Sequence, residues 1–134
     1  MGRPWLRSLA ALIPALGLGA GSASAGGELR LEIMLAPDYT PKLVATSPDA
    51  ATIASAVRRL RWSDITFVVL STGDAAGIEL SGSLRPEDGL SARYWEAGRE
   101  YVSARPPANV REGIALLQSY AAGGDEWRSK IEWE

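Results

Sequence analysis

The sequence predicts an α+β fold: an antiparallel β-meander sheet of about five strands with two helices packed on one face. Three observations carry this. SPDAATIASAVRRL (47–60) and NVREGIALLQSYAAGG (109–124) repeat apolar side chains at helical spacing. Five other segments alternate, or run apolar, at strand spacing. Four of these five come one after another between the two helices, joined by short turn-forming stretches, which is the layout of a meander.

The chain has 134 residues, the length of one domain. Residues 1–25 read as a secretory signal peptide. MGRPWLR supplies a positive start with Arg3 and Arg7, SLAALIPALGLGAG an apolar stretch, and Ala23 and Ala25 the small residues before a cut at Gly26. A start codon placed too far upstream would produce the same extra residues. Residues 26–134 form the single α+β domain. Without Arg3 and Arg7 it carries 12 basic and 16 acidic residues, a net charge of −4. Mild acidity with mixed signs argues against nucleic acid and anionic membrane as partners. The expected location is secreted or periplasmic, with no membrane anchor after cleavage, or cytoplasmic if the start is misplaced.

Each element has its own signals. ELRLEIML (28–35) alternates, with Leu29, Leu31, Ile33 and Leu35 on one face and Arg30, Glu32 and Met34 on the other. APDYTPKL (36–43), with Pro37 and Pro41, reads as a loop. The first helix has Ser47 as expected N-cap, Pro48 at its first position and Asp49 complementing the dipole. Ile53, Val57 and Leu60 make its apolar stripe. Arg58, Arg59 and Arg61 sit at its C-terminal end, where positive charge is favoured; they read as a solvated helix end, with an anion site as the alternative. SDITFVVLST (63–72) is apolar enough for a central strand covered on both faces. GIELSGSL (77–84) alternates Ile78, Leu80 and Leu84 with Glu79, Ser81 and Ser83. LSARYWEA (90–97) and EYVSARP (100–106) flank a tight turn. The second helix opens with Asn109 and Glu112 in capping-box spacing, carries Val110, Ile114, Leu117 and Ala121 on one stripe, and stops at Gly123 and Gly124.

The chemistry of the side chains narrows the function. There is no His and no Cys. That removes the usual zinc, haem and iron–sulfur ligands, Ser-His-Asp and Cys-His nucleophilic catalysis, and any disulfide. No phosphate-binding glycine loop and no calcium loop is present, and no cofactor is expected. Enzymatic work would fall to carboxylates, with Glu79 and Glu96 as the candidates for a glycosidase-like pair. On the polar face of the meander, Trp95, Glu79 and Arg93 place an aromatic among charges on a sheet face that the helices leave open. That composition fits a protein-binding patch. The same residues would also blunt an exposed sheet by cross-strand packing.

The final stretch, GGDEWRSKIEWE, holds Trp127 and Trp133. A short turn followed by an extended IEWE folds these rings back as a plug on the helix–sheet layer, because a core without disulfides gains most from large apolar area. The element order over residues 29–134, with the gapped pattern Tyr120, Gly124, Asp125, Trp127 and Trp133, resembles small uncharacterised bacterial α+β proteins related to immunity proteins of polymorphic toxin systems. The resemblance implies a non-catalytic protein that neutralises a toxin by binding it. The signal-like segment departs from such proteins, which are usually cytosolic. The rival reading is a small secreted carboxylate-dependent hydrolase or carbohydrate-binding module, and a purely structural envelope protein is a third.

Overall fold

The structure, a computed structural model, describes residues 28–73 and 75–134. The signal-like segment 1–25 lies outside the described residues. The element order is β1 (Arg30–Leu35), β2 (Lys42–Thr46), α1 (Ala50–Arg58), β3 (Thr66–Ser71), β4 (Ala76–Gly82), β5 (Leu90–Glu96), β6 (Arg99–Arg105), α2 (Val110–Ala121), a 3₁₀ turn (Glu126–Ser129) and β7 (Glu132–Trp133). All neighbouring strands are antiparallel, in the order β2-β1-β3-β4-β5-β6-β7. The class is the expected α+β, with β3 to β6 as the meander, but the sheet has seven strands rather than about five. The two additions are edge strands. β2 arises inside and just after the proline-rich stretch that reads as a loop: Pro41 ends the crossing and Lys42–Thr46 turns back along β1. β7 is two residues long, too short to show an alternation.

Register explains the core. On one face Leu31, Leu70, Ile78 and Tyr94 form a row across β1, β3, β4 and β5, and Ile33, Val68, Leu80 and Ala92 form the next. Ile53, Ala54 and Val57 of α1 and Ile114, Leu116 and Leu117 of α2 join these rows in one cluster. Both helices therefore bury their stripes on the same sheet face. α2 comes close because Gly113 carries no side chain: a Cβ there would collide with Leu80. Gln118 ties the helices together by donating to the Ala50 carbonyl at 2.8 Å. Trp62, just after α1, fills the end of this layer and donates its indole N–H to the Val57 carbonyl.

Helix starts are set by short-range hydrogen bonding. Asp49, not Ser47, caps α1, its carboxylate accepting from the Thr52 amide at 2.8 Å. Pro48 then precedes the cap instead of opening the helix, and Ser47 adopts a left-handed φ of 48° while its N–H bonds the Leu29 carbonyl. At α2 the Asn109 side chain accepts from the Glu112 amide at 2.9 Å, as the spacing predicts, while Glu112 reaches back one residue further, to the Ala108 amide. No helix among the described residues is long and apolar enough to cross a membrane.

The second sheet face overturns one expectation. Alternation places Glu79, Ser81 and Ser83 on a solvent face, yet all three are buried, and so is Arg93. Met34, Phe67 and Val69 form a second, smaller apolar cluster there, with Tyr39, Ile65 and Trp95 packed against it. Tyr39 meets Phe67 edge-on at 5.7 Å.

Candidate functional site

The three residues singled out from the sequence are brought together on this second face. Glu79 and Arg93 are cross-strand partners on β4 and β5, and Trp95 is two residues beyond Arg93 on the same face. Arg93 donates from Nε to Glu79 Oε1 at 2.6 Å and contacts Glu100 Oε2 from Nη1 at 2.9 Å. Its guanidinium lies 4.9 Å from the centre of the Trp95 ring, within cation–π range. The Trp95 ring spreads over Gly77, where a Cβ would run into it and into Ser71.

Burial divides the group. Glu79 is 1% exposed and Arg93 3%. The open aromatic–acidic patch expected from the sequence is therefore not what the chain presents. Glu79 and Arg93 are a buried support, while the half-buried Trp95 and the Glu100 side chain, 45% exposed, form the accessible part. Burial pushes the Glu79 carboxyl up from its ordinary value, and the neighbouring Arg93 pulls against that shift. The network is not saturated: Glu79 Oε2, Arg93 Nη2 and Ser81 Oγ are buried without a hydrogen-bond partner among the described residues. Two carboxyl groups thus share one guanidinium, and of the two only Glu100 is accessible.

Glu100 is a site residue that strand alternation alone does not single out, although a signal for it is present in the sequence. Ala97 and Gly98 both have positive φ, 52° and 77°, which makes EAGR a two-residue hairpin loop of type I′. That loop sets Glu96 opposite Arg99 and hence Trp95 opposite Glu100. In the sequence Gly98 marks the turn, but Ala97 is not a residue that type I′ favours, so the signal for that pairing is partial.

Glu79 and Glu96 do not converge. Glu79 shares the face of Arg93, whereas Glu96, one residue past Trp95, lies on the helix-side face and accepts from Arg128 Nη2 at 2.8 Å. The carboxylate pair required of the hydrolase reading is not built from these two. Among the described residues no three acidic side chains gather as a metal site. Two surface hollows, of about 500 and 370 Å³, are lined by Arg105, Glu112, Lys130 and Glu132 among others and by Arg59, Arg61 and Asp64 among others. Neither touches the Trp95 group. Arg58, Arg59 and Arg61 form no ion pair with the described residues, as expected of a solvated helix end.

The tail is architecture. Trp127 is buried in the main cluster, and Trp133 packs against it. Tyr94 stacks on Tyr101 at 4.6 Å and meets both tryptophans edge-on at 4.7 Å. Arg128 lies 4.5 Å from the Trp127 ring and is fixed by Glu96, which pushes its guanidinium pKa upward. The plug expected from the sequence is thus formed, with Trp127 buried in it and Trp133 half-buried.

No family model, no curated protein and no solved structure matches this chain.

Proposed function

We propose that this is a non-catalytic protein-binding protein whose contact patch is Trp95 with Glu100, held from beneath by Glu79 and Arg93. One observation carries the reading. A buried arginine joins two carboxylates directly under a half-exposed tryptophan. A buried ion pair with unsatisfied atoms is a poor way to stabilise a sheet, since apolar residues of similar volume do as well or better. It is an effective way to hold Glu100 and Trp95 in one geometry. A rigid aromatic anchor beside a fixed charge is the composition of an interface hot spot. The exposed Glu100 carboxylate and the net acidity of residues 26–134 favour a basic partner surface. A toxin of basic surface, neutralised by occlusion, fits that chemistry and the sequence resemblance to immunity-related proteins.

The test is capture from the native cell with tagged wild type, Trp95→Ala and Glu100→Arg in parallel, with mass spectrometry of the co-purifying chains and of the N-terminus. A stoichiometric protein retained by wild type and lost from both variants is the expected result. A partner retained equally by all three refutes the patch. An N-terminus at Gly26 would establish export, and an uncleaved chain would refute it.

A further inference from the structure

The backbone beside the patch suggests how a partner engages it. The hydrogen-bond phase of β6 is fixed by its pairing with the tail: Val102 donates to the Glu134 carbonyl at 3.1 Å and accepts from the Glu134 amide at 2.9 Å. Val102 therefore turns both backbone groups away from β5. In an antiparallel ladder this direction alternates, so Tyr101 and Arg99 face β5 and Glu100 faces outward again. β7 pairs with β6 at Ser103 and Arg105. Among the described residues no strand lies against the outward N–H and C=O of Glu100.

We propose that a partner protein adds an extended strand along β6 at Arg99–Tyr101, in line with β7. This deepens the protein-binding reading and rests on it. The occupant is set by charge and pleat. Directly opposed residues share a sheet face, so the partner residue facing Glu100 lies on the Trp95 side. Glu134, opposite Val102, puts its own side chain on that same side. A basic residue there meets two carboxylates. Its neighbours in the partner strand fall on the other face, beside the half-buried Tyr101 and Trp133. The fitting partner is a strand that alternates basic and apolar residues. The opposite edge is a poorer template: β2 has Pro41 before it, Lys42 at its start and a bulge at Val44, three devices that blunt strand addition.

The experiment is an NMR titration of the ¹⁵N-labelled protein with the hexapeptide Lys-Val-Lys-Val-Lys-Val, using Glu-Val-Glu-Val-Glu-Val as control. Shifts should centre on the Glu100 amide and the Trp95 indole, with binding at least tenfold weaker for the acidic peptide. Whereas Glu100→Gln removes the charge and keeps the donor, Glu100→Pro removes both the outward donor, a loss that edge strands accept, and the carboxylate that contacts Arg93. It should weaken binding at least tenfold, and Glu100→Gln should do so less. If the proline variant does not fold, amide exchange of the wild type decides: Glu100 should exchange freely alone and slowly with peptide. No shifts, or shifts centred on β2, overturn strand addition. Shifts that vanish in Trp95→Ala but persist in Glu100→Pro refute the edge while leaving the patch standing. Partner capture that survives Trp95→Ala refutes the patch itself.

Discussion

At the scale of single residues, the Arg93 guanidinium decides the character of the second sheet face. It pulls against the upward shift that burial imposes on the Glu79 carboxyl. Arg93→Met removes that partner and leaves Glu79 buried alone, at a cost of about 3–5 kcal/mol near neutral pH. The raised pKa sets the sign of the pH effect. A carboxyl whose pKa is raised by folding binds more protons in the native state, so its contribution is fully present at low pH and is lost as pH rises through the folded value. Urea unfolding of Arg93→Met should therefore show stability recovering on acidification, by more than the wild type gains over the same range. Tyr120 supplies a second case. Burial pushes its phenol up to about 12. Its stabilising contribution is present below the ordinary phenol value of about 10 and is lost as the pH rises toward the folded value. Tyr120→Phe should flatten the alkaline arm of the stability curve, measured by thermal unfolding, and a native spectrophotometric titration should lose its latest-ionising tyrosine.

At the scale of elements, the hairpin between β5 and β6 and the tail are the two devices that set the patch. Ala97 holds φ at 52°, where a Cβ costs about 1–2 kcal/mol and asparagine is better tolerated. Ala97→Asn should raise stability by roughly 0.5–1 kcal/mol without moving Trp95. This is checked by denaturant midpoint and by the Trp95 indole shift. In the tail, Trp127→Ala should cost about 3–5 kcal/mol, and Trp133→Ala less, on the order of 1–3 kcal/mol, because its ring is only partly buried. Equal and negligible losses would mean that the plug does not close the core. The elements also show what the sequence can express. Long periodic segments such as 109–124 announce themselves, and so does the asparagine cap. β2 and β7 do not, since edge strands of five and two residues owe their existence to a neighbour's free hydrogen bonds. Alternation in β4 assigns the correct faces but not their exposure. Glu79 reads as a solvent residue until Arg93 is known to lie across it, and that contact depends on strand register.

At the scale of the whole molecule, the two sheet faces differ in composition, and the proposed function assigns binding to one of them. The helix side, with Phe67 excluded, Trp127 enclosed and Trp133 packed against it, is an ordinary apolar core. The other side trades packing for a fixed charge and a presented ring. A protein built this way should unfold in one cooperative step and lose partner binding through changes that leave that step intact. Trp95→Ala, half-buried to begin with, should cost binding more than it costs folding. The hydrogen-exchange footprint of the purified protein with its captured partner puts the patch itself to the test. New protection is expected at the outward Glu100 amide and the Trp95 indole N–H, with α1 and α2 unchanged. Protection confined to the helix face or to the hollow around Arg105 and Lys130, with Trp95 and Glu100 unaltered, would show that partners dock elsewhere and that the Trp95 group is not the binding patch.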